Sequence, residues 1–230
     1  MIALIDADII VYRVGFTTED VSEKVAESRV DQCICNLLCF DLPDIFEWEL
    51  YLTGRGNFRE DLAVTAPYKG NRKQEKPKHY QAIRNRLVTL WKAFMVDGME
   101  ADDMLAIRQH ELPESIIVTL DKDLDQVTGW HYNFVKKNKY WIDHEEGTFL
   151  FYKQFLTGDS VDNIIGVKGI GNVKAGKLLK DKTEAEMWEV VVDLLGMERA
   201  VENGHLLYML RTVDDSFTNY LYRQELNYYD

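Results

Sequence analysis

The chain alternates short apolar runs with amphipathic stretches. Ile2 to Ile5 is apolar and is cut by Asp6 and Asp8, which predicts a short buried strand ending at Asp6. Val30, Cys33, Ile34, Leu37 and Leu38 recur at helical spacing, so Val25 to Leu42 is expected to be an amphipathic helix. Trp48 to Leu52 predicts a second strand, stopped by Gly54 and Gly56. From Phe58 to Lys78 the chain is polar, basic and broken by Pro67 and Pro77, the pattern of a loop or mobile helical segment outside the core. The helical period returns from His79 to Met95, and Val96 to Glu100 leads into a helix expected to begin near Ala101. Ser115 to Leu120 predicts a third strand ending at Asp121; Tyr132 to Val135 and Phe149 to Tyr152 predict further strands or edge pieces. Beyond Val161 the helical period dominates, with Gly166, Gly169 and Gly171 marking turns. Strands alternating with helices imply an α/β fold with a mainly parallel sheet, and the change of pattern near residue 151 implies an appended helical region.

Composition narrows the class. At 230 residues and 46% hydrophobic content the chain is long enough for one α/β domain with a sizeable core and a small helical appendage. No apolar run approaches the ~20 residues of a membrane span, and no signal peptide is legible, so a cytoplasmic protein without a membrane partner is expected. Cys33, Cys35 and Cys39 share one apolar segment with no His nearby, which suits buried reduced thiols better than a disulfide framework or a zinc site. The net charge of −12 by itself argues against a nucleic-acid partner, because phosphate repels an acidic surface. Its distribution reverses that reading. Lys69, Arg72, Lys73, Lys76, Lys78, Arg84, Arg86 and Lys92 face only Glu75 in their stretch, and further basic runs include Lys136 to Lys139 and Lys168 to Lys182.

Acidic residues recur where predicted strands end. Asp6 follows the first strand, and Asp121 and Asp123 follow the third; in open α/β sheets these ends border the crevice where sites assemble. An extended backbone would aim Asp121 and Asp123 to one side. Glu100 and Asp103 would share a helix face with Asp102 at its entry, and Asp159 and Asp162 have the same three-residue spacing. Gathered carboxylates repel unless a hard cation joins them. Mg²⁺ or Mn²⁺ takes oxygen ligands, and two such ions about 4 Å apart suit phosphodiester hydrolysis. Each piece also has a plain structural reading: helix-dipole acids at Asp102 and Asp103, a solvated loop at Asp121 to Asp125, caps at Asp159 and Asp162. Their common placement at strand ends, beside basic patches, favours the metal.

Two basic elements accompany the acids. Gly166, Gly169 and Gly171, with Lys168 and Lys174, could bring backbone N–H groups to a duplex phosphate in a helix-hairpin-helix, or could form a plain turn between helices. In Pro67 to Lys73, Tyr68 could stack a base while Lys69, Arg72 and Lys73 hold phosphates, or the stretch could be solvated surface.

Four segments resemble, in order, motifs of the flap endonuclease/5′-nuclease family: Tyr68 to Arg72, Gly98 to Asp103, Asp121 to Gln126, and Gly158 to Gly171. The resemblance covers about residues 1–180, and the size is most similar to bacteriophage members. It implies a PIN-like α/β core over 1–150 with a basic helical arch at about 60–92, and a helical DNA-binding region over 151–230 with a helix-three-turn-helix at about 159–180. It places Asp6, Glu100, Asp102, Asp103, Asp121, Asp123, Asp159 and Asp162 on metal-liganding positions, Lys69 on a catalytic lysine at the scissile phosphate and Arg72 beside it. The implied activity is two-metal hydrolysis, as a 5′→3′ exonuclease or flap endonuclease of DNA replication or degradation. The implied cofactors are Mg²⁺ or Mn²⁺, with K⁺ at the helix-three-turn-helix. The implied partner is DNA with a 5′ end or flap, with RNA–DNA hybrids as a further substrate, for a monomer in the host cytoplasm if phage-encoded. One position departs from the pattern. The family's Asp after the second strand is missing from Leu52 to Gly56, leaving Asp8 as a substitute ligand or a cap. That gap keeps open a structure-specific DNA-binding module of the same fold that has lost its chemistry.

Overall fold

The computed structural model describes residues 1–73 and 75–226, and the chain divides into two compact units. No helix among the described residues is long and apolar enough to cross a membrane.

The first unit comprises Met1–Gly56 and 74–142. Its sheet contains β1 (Ile2–Asp6), β2 (Glu47–Thr53), β3 (Phe94–Val96), β4 (Ser115–Val118), β5 (Gly129–Asn133) and β6 (Asn138–Ile142), in the order β3-β2-β1-β4-β5-β6. Every pair is parallel except β5 with β6. The central strands are covered on both faces, which is why they read as unbroken apolar runs; Leu4, Ile5, Ile116, Ile117 and Val118 are wholly buried. Helices α1 (Ala7–Phe16), α2 (Glu23–Asn36), α4 (Tyr80–Thr89) and α5 (Ala101–Glu111) complete the layers. In register, Asp6 lies opposite Tyr51, and Ile5 opposite both Leu50 and Val118. The carboxyl ends of β1, β2 and β4 therefore lie level, with the chain order switching at β1.

Several elements differ from the expectation. Helix α1 starts immediately after β1, with Asp6 as its cap accepting from Ile9 N–H at 3.1 Å. Helix α2 runs into a π-helical turn, Leu37–Asp41. The helix expected to reach Met95 stops at Thr89, and Phe94 to Val96 form an edge strand on β2, where Phe94 stacks on Tyr51. Cys33 is half-buried, but Cys35 and Cys39 are exposed, contrary to the expectation of buried thiols.

The second unit comprises Asn57–Lys73 and the chain from Asp143 onward. It contains α3 (Phe58–Leu62), α6 (His144–Thr157), a two-stranded hairpin of β7 (Gly158–Asp159) and β8 (Ile164–Ile165), then α7 (Asn172–Leu179), α8 (Glu184–Leu195), α9 (Met197–Leu207) and α10 (Phe217–Arg223). Phe149 to Tyr152, expected as a strand, lie inside α6. Phe151 and Phe155 stand one helical turn apart and pack with Trp188, Tyr208, Phe217 and Tyr220 into an aromatic core.

The polar stretch after Phe58, expected to be loose, is anchored to this core. Arg59 is 2% exposed; it donates to the carbonyls of Leu206 at 2.9 Å and Tyr208 at 2.8 Å and lies over the Phe58 ring. Glu202 accepts from Val64 N–H, Thr65 N–H and the Thr65 hydroxyl. The expected arch of 60–92 is thus divided: residues up to Lys73 go with the helices, and those from 74 go with the sheet.

Candidate metal centre and nucleic-acid interface

The expected carboxylates fall into two groups, one in each unit. In the sheet unit, Asp6 is 2% exposed at the end of β1. Its Oδ2 accepts from the Thr119 hydroxyl at 2.8 Å, and the same hydroxyl oxygen accepts from Asp121 N–H at 3.0 Å. Thr119 therefore links the ends of β1 and β4. Asp123 does not lie extended beside Asp121, as its spacing suggested. It opens a 3-10 turn, Asp123–Gln126, with its N–H donating to Asp121 Oδ1 at 2.9 Å. At α5, Glu100 is the N-cap, with its N–H donating to Asp103 Oδ2 at 3.2 Å; Asp103 is wholly buried and Asp102 half-buried in the first turn.

Electrostatics mark Asp6 most strongly. Burial raises its carboxyl from 3.8 to about 7, the Asp8 carboxylate adds to the rise, and Asp121 contributes less. Hydrogen bonds from Ile9 and Thr119 oppose the shift without cancelling it.

Asp8 is engaged elsewhere. Its oxygens accept from Arg84 Nη1 at 2.9 Å and from Thr53 N–H at 2.8 Å. This corrects the candidacy of Asp8 as the substitute ligand: an oxygen paired with a guanidinium is not available to a dication without breaking that pair. Where the missing second-strand Asp was expected, Thr53 ends β2. Its hydroxyl accepts from Ala101 N–H at 3.0 Å, capping α5, and its carbonyl accepts from Arg84 at 2.6 Å. Thr53 and Thr119 carried no role in the sequence pattern, and Arg84, expected in the basic stretch, is buried against Asp8 and Thr53. Thr119 stands two residues before Asp121, just ahead of the motif, which was the available signal.

Hard oxygens converging from the ends of β1 and β4 fit Mg²⁺ or Mn²⁺ in kind, because such ions retain waters and need few protein ligands. Among the described residues, no three His, Cys, Asp or Glu side chains form a ready cage.

In the helical unit, the two remaining motifs meet each other. Lys69 N–H donates to the Asp162 carbonyl at 2.9 Å, Asn71 Nδ2 to the Ser160 carbonyl at 2.6 Å, and Asn163 Nδ2 to the Pro67 carbonyl at 2.9 Å. The Asp162 carboxylate accepts from Arg72 at 2.7 Å and from the Tyr68 hydroxyl at 2.8 Å, with Lys69 Nζ at 3.5 Å. Asp159 Oδ1 accepts from the N–H groups of Val161 and Asp162. Tyr68 is 8% exposed, so its ring is not an open platform for a base. This corrects its expected stacking role. Lys73 is exposed.

The glycines of the last motif divide by role. A Cβ on Gly166 would lie 2.3 Å from Gly158 N, so Gly166 serves the close approach of β7 and β8. Gly169, at φ 79°, and Gly171 have open space around them, and Lys168 and Lys174 are exposed beside α7.

No protein-family model matches the chain. Thermostable DNA polymerase I of Thermus aquaticus is 37% identical over 99 residues, covering 37% of this chain and 12% of that protein. DNA polymerase I of Chloroflexus aurantiacus is 26% identical over 211 residues, covering 78% of this chain and 22% of that protein. The chain thus spans about an eighth to a fifth of the curated relatives it matches. Among solved structures, bacteriophage T5 5′-exonuclease with zinc bound has a TM-score of 0.69 at 14% identity, covering 90% of this chain and 88% of that one. A bacteriophage T5 flap endonuclease in a pseudo-enzyme–product complex with DNA and metal ions has a TM-score of 0.63 at 14% identity, covering 96% and 97%. The T5 protein co-crystallised with metal ions has a TM-score of 0.70 at 15% identity, covering 91% and 89%. The chain has the α/β fold of these 5′-nuclease structures, and its resemblance to the flap endonuclease/5′-nuclease family extends from its motifs to its fold.

Proposed function

We propose that the chain is a divalent-metal-dependent 5′-nuclease that hydrolyses DNA phosphodiesters from or near a 5′ end. The observation that carries this reading is the junction of the β1 and β4 ends, where one hydroxyl, that of Thr119, ties a buried Asp6 to the backbone of Asp121. Asp6, Glu100, Asp102, Asp103, Asp121 and Asp123 are the residues that would hold Mg²⁺ or Mn²⁺ there. When bound, such ions lower the pKa of an attacking water and stabilise the charge that develops on a phosphodiester.

The chain's own residues prepare the site. Ile9 N–H and the Thr119 hydroxyl fix the Asp6 carboxylate, and Asp121 Oδ1 fixes the turn that carries Asp123. Burial around Asp6 and Asp103 limits water, so charge there is felt strongly. In the helical unit, Lys69, Arg72 and Lys73 offer cations to a phosphate backbone. The open backbone at Gly169 and Gly171, followed by α7 with Lys168 and Lys174, offers N–H groups and positive charge to a duplex. These contacts hold phosphates and read no bases, which suits recognition of a DNA end or junction.

The test is cleavage of a 5′-labelled duplex, blunt or carrying a 5′ flap, with Mg²⁺ and with EDTA. Mononucleotides from the blunt end would show 5′→3′ exonuclease action, and release of the whole flap would show endonuclease action. Binding of the junction with no cleavage in Mg²⁺ or Mn²⁺ would refute the nuclease reading in favour of a binding module.

A further inference from the structure

The geometry points to Asp162 as the residue that positions the cationic face of the basic segment, and not as a metal ligand. This inference rests on the nuclease reading for its consequence in catalysis, but its geometry stands within the helical unit alone.

The two oxygens of Asp162 are shared out among donors. Oδ1 receives Arg72 Nη2 at 2.7 Å; Oδ2 receives the Tyr68 hydroxyl at 2.8 Å and stands 3.5 Å from Lys69 Nζ. The carboxylate is 16% exposed and Lys69 is 21% exposed, so these charges are only partly screened by water. A dication bound to either oxygen would sit within a few ångströms of two cationic side chains. It would have to expel them or bear their repulsion. The donor set at Asp162 therefore does not fit a metal.

The backbone shows what this arrangement is for. Lys69 has φ 54° and Asn163 has φ 64°; the left-handed conformation is common for Asn but uncommon for Lys, whose surroundings must hold it there. Each is held by the other segment: Lys69 N–H on the Asp162 carbonyl, and Asn163 Nδ2 on the Pro67 carbonyl. Asp159 Oδ1 closes the turn that presents Asp162. Two loops distant in sequence are zipped together, and the charged tip of one fixes three side chains of the other. The planar guanidinium of Arg72, held on Asp162, has its fork fixed in orientation, the geometry in which arginine recognises phosphates. Asp162 lowers the positive charge of the segment by one unit and in return removes freedom from Lys69 and Arg72. Prior orientation of this kind raises turnover by sparing the ordering that would otherwise be completed on the way to the transition state.

The experiment compares Asp162→Ala and Asp162→Asn in the full chain with Lys69→Ala/Arg72→Ala, and with Asp162→Ala added to that pair. Circular dichroism first confirms folding; the Asn variant, nearly isosteric, covers the case in which Ala unfolds the loop. Three quantities are read: Mn²⁺ stoichiometry and affinity of the DNA-free protein by calorimetry and electron paramagnetic resonance, affinity for a 5′-flap duplex in Ca²⁺ by fluorescence anisotropy, and kcat with KM in Mg²⁺. Positioning predicts Mn²⁺ binding within about 2-fold of wild type in both variants. It predicts a kcat loss of roughly 10–100-fold from Asp162→Ala that falls below about 3-fold once Lys69 and Arg72 are Ala, because residues acting as a unit are non-additive. Asp162→Asn should recover part of the loss, since its amide oxygen still accepts from Arg72 or Tyr68. Loss of a bound Mn²⁺ in either variant, or an effect that multiplies in full with the Lys69 and Arg72 changes, would overturn the inference. Should the wild type cleave no DNA, the nuclease reading fails separately, and the Mn²⁺ data with the same mutant cycle in DNA affinity still decide the role of Asp162.

Discussion

Replacing Asp6 with Asn isolates the carboxylate that the sheet unit holds under strain of charge. Asp6 is 2% exposed, and its carboxyl is raised from 3.8 to about 7, first by burial and then by the Asp8 carboxylate. A folded-state pKa above the unfolded one means that the folded chain keeps a proton which the unfolded chain gives up. The stability from that proton is complete below the unfolded value of 3.8 and is lost as pH rises through about 7. At about 1.4 kcal/mol per pKa unit, the rise corresponds to about 4 kcal/mol. Asn cannot ionise, so Asp6→Asn removes this slope. Its Oδ1 can still accept from Ile9 N–H, and its amide can donate to the Thr119 oxygen. The Thr119 proton then loses its carboxylate partner, at about 1 kcal/mol. The variant should therefore gain about 3 kcal/mol at pH 8 in EDTA, or roughly 6–12 °C in Tm for a chain of this size. Thermal melts at pH 5 and pH 8 in EDTA, repeated with Mg²⁺ or Mn²⁺, provide the assay. Metal should raise the wild type and leave the variant nearly unchanged, because only the charged carboxylate binds it strongly. A wild type equally stable at pH 5 and pH 8 in EDTA, or a variant no more stable than wild type at pH 8, would mean that the buried Asp6 carboxylate carries no such cost.

Three further outcomes follow from the packing and the charges. Arg59→Met, which keeps the stem volume but leaves the Leu206 and Tyr208 carbonyls without the guanidinium, should destabilise by about 2–4 kcal/mol, read as a lowered urea midpoint; a shift below about 0.5 kcal/mol would mean that this anchor is not formed. Gly166→Ala should destabilise more than Gly169→Ala, since the first drives a Cβ to 2.3 Å from Gly158 N and the second meets only its positive φ, at about 1 kcal/mol; equal melting temperatures would contradict this. Lys168→Ala with Lys174→Ala should weaken duplex binding and lower the slope of log affinity against log salt by about 1 per lysine, and an unchanged slope would remove α7 from the interface.

Much of the fold was legible because it obeys simple periodicities. Ala3 to Ile5 and Ser115 to Val118 are buried on both faces, and such strands appear as plain apolar runs. Helix α1 was hidden because it follows β1 without a break, so one apolar stretch contains two periods. Phe94 and Met95 were drawn into the preceding helix because an edge strand of three residues is too short to show alternation. Phe149 to Tyr152 imitated a strand, since a helix packed among aromatics is apolar over consecutive positions. The carboxylates were legible as a set at the ends of β1 and β4. Their individual duties were not: Asp8 answers to Arg84, and Asp162 to Lys69, Arg72 and Tyr68, partners from other parts of the sequence. Arg59 was the least legible residue. A basic side chain in a polar stretch gives no sign that it is buried against two carbonyls contributed from beyond residue 200.

The proposed function requires the carboxylates at the ends of β1 and β4 to support metal-dependent hydrolysis of DNA. Single-turnover cleavage of a 5′-flap duplex, with enzyme saturating, compares the wild type with Asp121→Asn and Asp123→Asn after anisotropy has shown that all three bind the duplex. Mg²⁺-dependent cleavage by the wild type, absent in EDTA and slowed at least about 100-fold in each variant, is the predicted result. Cleavage that persists in EDTA, or runs at the wild-type rate in both variants, would contradict the account.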